Sequence, residues 1–253
     1  CGGMGGHMHM YSPELLAASS GIVGASGPAA AGFALACEYL RPGSVAVAFF
    51  GEGAMNQGML MESMNLASAW QLPVLFVCKD DAWSITTPSP GARGGDLALR
   101  ARGLGLPVEE VDGRDVLEVW QAAGGAIERA RAGQGPAFIR ARCVHLEAHF
   151  MGYQLLRAIR KPLREMPGIS LPLTRSFLHS KGAPFGDRMA GLRFVLASLV
   201  ATLRDPRRDA AHDPLQRARR ALDSEAARLQ TLEDRIEGIV GDLLASALNG
   251  VPS

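Results

Sequence analysis

Two kinds of apolar pattern alternate over residues 28–144. Short unbroken runs occupy Ser44 to Phe50, Pro73 to Cys78, Leu106 to Val111 and Pro136 to Val144. Their length and lack of polar interruption predict strands of a sheet covered on both faces. Between them lie stretches with helical spacing. Residues 28–40 are Ala-rich, with Pro28 suited to a first turn. Asn56 to Trp70 repeats apolar residues at Leu60, Met64 and Ala67, and Asp115 to Ala132 is amphipathic. Strand and helix alternating at this pitch predict an α/β fold, a mainly parallel sheet with helices on both faces, over residues 1–150. Residues 1–20 are rich in Gly, Met and His and predict a loop.

After residue 150 the pattern changes. Residues 151–190 form a basic, Pro- and Gly-punctuated connection without clear periodicity. Residues 191–253 predict a helical C-terminal segment, with helices over 191–204 and 215–248. The arginines at 204, 207, 208, 217, 219 and 220 are interleaved with Asp205, Asp209, Asp213 and Asp223, which predicts a solvated helical face rather than a basic patch.

Composition narrows the classes. A net charge of +1 gives no reason to expect a nucleic acid as partner, and 47% apolar with 20% charged residues predicts a globular protein with a sizeable core. The uncharged run Gly21 to Cys37 contains Pro28 and several glycines, and Leu192 to Leu203 is broken by Arg193, so no membrane span is expected. The cysteines (1, 37, 78 and 143) lack paired spacing, which predicts free thiols in a reducing, cytoplasmic compartment. The chain begins Cys1-Gly2-Gly3-Met4 and runs straight into motif-like sequence, so the natural N-terminus is expected to lie upstream.

The candidate chemistry sits at two strand ends. The first run leads into Gly51-Glu52-Gly53 and the second into Lys79-Asp80-Asp81. In a parallel sheet ligands gather beyond the carboxyl ends of the strands. Two hard oxygen donors beside a glycine turn there suit Mg²⁺ and a phosphate-bearing group. A glycine-acid-glycine turn alone has a plain structural explanation, since strand-to-helix turns use glycine's backbone freedom. A second acidic pair at the next strand end favours function, because buried carboxylates are costly unless paired or metal-bound. His7 and His9 among methionines suggest a soft-metal site or an ordinary loop, the loop being preferred, and no Gly-Lys-Ser/Thr follows a strand, which excludes a P-loop.

The segments Gly21-Ile22-Val23-Gly24-Ala25, GEGAMNQG (51–58), LPVLFVCKDD (72–81) and VDGRDV (111–116), with His212-Asp213-Pro214 further on, occur in an order that resembles one family. It is the α subunit of the thiamine-diphosphate-dependent 2-oxo acid dehydrogenases, the decarboxylating component of pyruvate, branched-chain 2-oxo acid and acetoin dehydrogenase complexes. The resemblance implies a thiamine diphosphate-binding fold with Mg²⁺ held by Glu52, Asp81 and the carbonyl of Trp83. It implies backbone contacts from Gly53 and Ala54 to the diphosphate and from Gly21 and Val23 to the aminopyrimidine, and a diphosphate contact from Lys79. It places His9 in an active-site loop and matches His149 to a histidine near the thiazolium.

The resemblance further implies oxidative decarboxylation of a small, pyruvate-like 2-oxo acid with acyl transfer to a lipoyl group, or alternatively acetoin cleavage. The partners implied are a β subunit, in an α₂β₂ assembly whose β chain supplies the activating glutamate, and a lipoyl acyltransferase component. Without its β partner the chain is expected to be inactive. Two departures stand out. The second motif reads Asp80-Asp81 where the family has Asn-Asn, which crowds acids around one cation and predicts weakened cofactor binding. The loop reads His145-Leu146-Glu147-Ala148-His149-Phe150, without the family's Arg, Gly and Ser. Both features also fit a non-catalytic α-like scaffold subunit.

Overall fold

The structure, a computed structural model, describes residues 9–84, 87–144, 175, 182–203 and 210–249. An antiparallel hairpin, β1 (Met10–Ser12) and β2 (Ala17–Ser19), opens it where a plain loop was expected. Helix α1 (Ser26–Leu40) follows, with Pro28 in its first turn, and leads to β3 (Ala46–Gly51). A 3-10 turn over Glu52–Asn56 joins β3 to α2 (Gly58–Ala69), which buries the expected Leu60, Met64 and Ala67. Next come β4 (Val74–Asp80) and a small hairpin, β5 (Trp83–Ser84) with β6 (Thr87–Pro88).

Helices α3 (Ser89–Ala92) and α4 (Leu97–Gly103) lead to β7 (Val108–Asp112), α5 (Val116–Arg131) and β8 (Ala137–Arg142). Among the described residues the rest is helical: α6 (Phe185–Leu203), α7 (Pro214–Ala221) and α8 (Ala226–Asn249). A single helix over 215–248 was expected. A 3-10 turn at Asp223–Glu225 divides it, at residues whose side chains compete for backbone hydrogen bonds.

The main sheet is fully parallel, in the order β3-β4-β8-β7. Right-handed crossovers explain where its helices lie. The chain steps one way from β3 to β4 to β7, so α2 and α4 share a face, and α1 packs on the same side, over Phe50, Phe76, Leu97 and Phe138. It then steps back from β7 to β8, which places α5 on the other face, against Leu75, Val77 and Ile139. Close packing of α1 on α2 relies on Gly27, where a Cβ would come within 2.7 Å of Leu60 Cδ1.

The expected two-sided cover holds for β4 but fails for β3. Residues 74–78 of β4 are all buried, whereas β3 alternates, and Phe49 is 62% exposed although its register partner Val77 is 9% exposed. The difference is positional. Helix α5 lies over β4, β8 and β7, while β3 is the edge strand on the far side, beyond its reach.

Helix α7 is tied back to the domain through one acid. Asp112 accepts hydrogen bonds from Arg114 and from Arg217 at 2.7 Å, and Arg217 also reaches Asp115 at 3.1 Å. Arg217 thus departs from the solvated face expected of it. Asp213 caps α7 through Leu215 N, and His212 Nδ1 lies 3.1 Å from Arg114. Among the described residues no helix is long and apolar enough to cross a membrane. Cys37, Cys78 and Cys143 are free thiols.

Candidate functional site

The two acidic turns meet as the strand pattern predicts. Gly51 pairs in register with Lys79, so Glu52 and Asp80-Asp81 leave the same edge of the sheet on adjacent strands. Glu52 is 3% exposed and Asp81 8% exposed. Ser89, itself buried, donates its hydroxyl to Glu52. Burial pushes the Glu52 carboxyl above its ordinary range, and Asp81 and Asp80 push the same way against the serine's opposing effect. A carboxylate in that state gains from a nearby cation. Gly53 leaves room for Ser84, since a Cβ would come within 2.3 Å of Ser84 Oγ and 3.1 Å of its Cβ and force that side chain to shift.

Among the described residues no three His, Cys, Asp or Glu side chains converge as a metal site. A cation here would draw on two carboxylates and on backbone oxygen such as the Trp83 carbonyl. That all-oxygen set fits a small hard ion. Asp81 Oδ1 accepts from Trp83 N at 3.0 Å, which folds the chain back toward its own carboxylate. The buried Nη1 of Arg93 has no hydrogen-bond partner among the described residues and lies 3.6 Å from Asp80, a donor that an anionic group would satisfy.

Asp80 has a different environment from its neighbour. The Nε (2.8 Å) and Nη2 (2.6 Å) of Arg140, on β8, both reach its Oδ2. Arg140 Nη1 bonds Asp96 and Glu110, each at 3.1 Å. The charge expected to crowd the cation therefore has a buried counter-charge, while Lys79, expected to contact the diphosphate, is exposed. Arg140, Ser89 and Arg93 were missed in the sequence. A usable signal existed for Arg140: it stands two positions after Phe138 in a buried strand, hence on the same inward face, where a guanidinium needs an acid.

A cavity of about 430 Å³ lies between β2, the start of α1 and the end of β3, and none of the acids lines it. Val23, Ala25, Ser26, Gly51 and Ala54 are among its lining residues. Gly51 and Ala54 flank the Glu52–Gly53 turn, and Val23 comes from the loop expected to face a cofactor ring. Gly21 is exposed in that loop. His9 is exposed and its Nδ1 lies 2.9 Å from Ser20 Oγ, just before the same loop. His149 lies outside the described residues, as do His7, Ile85 and Thr86. Cys78, between the acids and the core, offers no nucleophile, because burial pushes its thiol far above the ordinary range.

A parallel sheet with a glycine-flanked acid and a second acid at adjacent strand ends defines the class, an α/β domain with two buried acids at one edge of its sheet. Residues 2–154 match the family described as the dehydrogenase E1 component, and the chain belongs to that family. It is 40% identical over 154 residues to the α subunit of acetoin:2,6-dichlorophenolindophenol oxidoreductase from Cupriavidus necator, covering 60% of this chain and 46% of that protein. Its Bacillus subtilis counterpart is 42% identical over 159 residues, with the same coverage of both. The pyruvate dehydrogenase E1 component subunit α of Zymomonas mobilis is 36% identical over 186 residues, covering 72% of this chain and 52% of that protein. The chain thus spans about half the length of these relatives.

Proposed function

We propose that this chain is the cofactor-binding α subunit of a thiamine-diphosphate-dependent decarboxylase component acting on a small, pyruvate-like 2-oxo acid. One observation carries the proposal: Glu52 and Asp81 are buried side by side at the ends of adjacent parallel strands, within the region that matches the family. Glu52, Asp81 and the Trp83 carbonyl would hold Mg²⁺. Gly53 and Ala54 would let the backbone approach a diphosphate, with Lys79 as a further contact. Gly21 and Val23 would face the aminopyrimidine across the cavity. Bound thiamine diphosphate would supply the nucleophilic carbon and the electron sink that decarboxylation requires.

The protein's part is to orient that group, keep water from it and move protons, roles in which His9 and His149 are the candidates. A β-type chain would complete the site in an α₂β₂ assembly, and a lipoyl acyltransferase component would accept the acyl group, in the cytoplasm. Acetoin is the second substrate reading, because α subunits of acetoin:2,6-dichlorophenolindophenol oxidoreductase, at 40% and 42% identity, are as similar to this chain as pyruvate dehydrogenase α subunits at 41%. The scaffold reading loses one support, because Asp80 is compensated by Arg140.

The test is co-expression of the full-length protein with its neighbouring β-type subunit, then calorimetry with thiamine diphosphate and Mg²⁺. An artificial-acceptor assay with pyruvate, branched 2-oxo acids and acetoin follows. Binding and turnover that Glu52→Ala removes are expected. Wild-type protein that binds no thiamine diphosphate at saturating Mg²⁺ would overturn the proposal, and a stable complex that binds without turnover would mark a scaffold.

A further inference from the structure

One residue near the two acids has a backbone conformation that an L side chain rarely adopts. Ala82, directly after Asp81, has φ +66°, in the left-handed region. Such a conformation persists only where its surroundings fix it, and here both its backbone groups are held. Its N–H donates to Asp80 Oδ1 at 3.1 Å, and its carbonyl accepts from Ser89 N at 2.9 Å. The hydroxyl of Ser89 in turn donates to Glu52. At the other end, Arg140 grips Asp80 through Oδ2, the oxygen that Ala82 leaves free.

These bonds make one continuous chain, Arg140–Asp80–Ala82–Ser89–Glu52, that joins the two strand ends. Asp81 and Trp83 stand on either side of the clamped residue, so the direction of the Asp81 carboxylate and of the Trp83 carbonyl follows from the Ala82 turn. Arg140 also bonds Asp96, which caps α4 through Leu99 N, so its guanidinium is fixed from a second element. A planar group with several donors suits such a junction, which the single ammonium of lysine could not reproduce.

We propose that Arg140 is a positioning residue of the cofactor site. It neutralises Asp80 and, through Asp80, locks the Ala82 turn that aims Asp81 and Trp83 at the cation shared with Glu52. Asp80 is then a structural acid rather than a ligand, and a single strand-end residue, Asp81, is left for the ion. The inference rests on the reading of this site as one for thiamine diphosphate and Mg²⁺.

The experiment measures thiamine diphosphate affinity at saturating Mg²⁺ by calorimetry, on the full-length protein with its β-type partner, alongside thermal stability. Arg140→Gln is expected to weaken binding by about 10–100-fold, the usual range for partners that orient metal ligands. The double variant Asp80→Asn/Arg140→Gln keeps an acceptor for Ala82 N–H and removes both charges. It should recover affinity to within about threefold of wild type, as neutral replacement of a buried ion pair allows. The stability readout separates the roles: a purely structural arginine makes affinity follow thermal stability across the variants, whereas a positioning one lowers affinity in Arg140→Gln protein that is still folded at the assay temperature. Ser89→Ala cuts the chain of bonds at its far end and should weaken binding several-fold with Arg140 intact.

Arg140→Gln binding within twofold of wild type would overturn the proposal, as would a double variant that folds but binds no better than Arg140→Gln. If Arg140→Gln does not fold, the double variant and Ser89→Ala decide, and wild-type affinity in Ser89→Ala counts against the proposal. Failure of the wild type to bind is a separate result, which would remove the functional reading and this inference with it.

Discussion

β3 and β4 lie side by side, run in the same direction and end in acids, yet they are built differently. β4 is covered on both faces and its terminal Asp80 has a guanidinium partner at 2.6 Å. β3 is covered on one face, and Glu52, just past its end, has a hydroxyl for a partner and an elevated carboxyl pKa. An acid satisfied by arginine has little to gain from a metal ion, whereas a buried acid held by neutral donors gains a great deal. The contrast separates the acids of this edge into a structural one and candidate ligands, a division that residue type alone does not make.

The largest stability effect expected within this comparison is at Asp80. Asp80→Ala leaves Arg140 buried without its shortest contact and should cost about 3 kcal/mol, the lower end for breaking a buried pair, because Asp96 and Glu110 remain. Urea denaturation would measure it, and a loss below about 0.5 kcal/mol, the level of an ordinary surface change, would contradict the division. Leu75→Ala on β4 should cost about 2–3 kcal/mol, since Leu75 is 2% exposed and packed beneath α5.

An intermediate effect is expected from acid. Asp112 belongs with Asp80, because hydrogen bonds from Arg114 and then Arg217 hold its carboxyl well below the ordinary 3.8. The folded state therefore binds this proton less readily than the unfolded chain does. The stabilisation is complete above the ordinary carboxylate range and is lost as pH falls below it, through the depressed value. Helix α7, docked through Arg217, should loosen in that acid window and become cleavable by pepsin over 214–221. Arg217→Ala should already be cleavable at higher pH, and equal cleavage of both proteins across the range would count against this docking.

The smallest effect belongs to β3. Phe49→Ser, on the exposed face, should change stability by no more than about 0.5 kcal/mol, although its register partner Val77 is core. A loss of several kcal/mol in the full-length protein would mean that residues beyond those described cover this face.

The alternation of apolar runs and helical spacing was enough to locate the four main strands and helices α1, α2 and α5, because burial imposes those periods directly. Helix α4 was missed, since a seven-residue helix carrying Arg100 and Arg102 offers too few apolar repeats to stand out. The one-sided burial of β3 could not be read at all. Its residues are as apolar as those of β4, and only the order of strands in the sheet decides which of them a helix covers. The same limit applies at the site. Glu52 and Asp81 were legible because a strand end is a local feature. Arg140 meets Asp80 across 60 positions of sequence, in a contact that exists only once β8 has been inserted between β4 and β7.

Gly27 links the packing of two helices to the width of the cavity. It is buried where α1 crosses α2, with Leu60 Cδ1, Leu60 Cα and Ser63 Cβ all within 3.2 Å of where a Cβ would stand. The cavity wall formed by Ala25, Ser26 and Ala29 flanks this point on the same helix. A single methyl group at position 27 acts as a shim. It would press on Leu60 and Ser63 of α2, so that the start of α1, and with it the cavity wall, has to shift although no residue that lines the cavity is altered. For an engineer, the crossing point is a place from which the cavity wall can be moved without touching it.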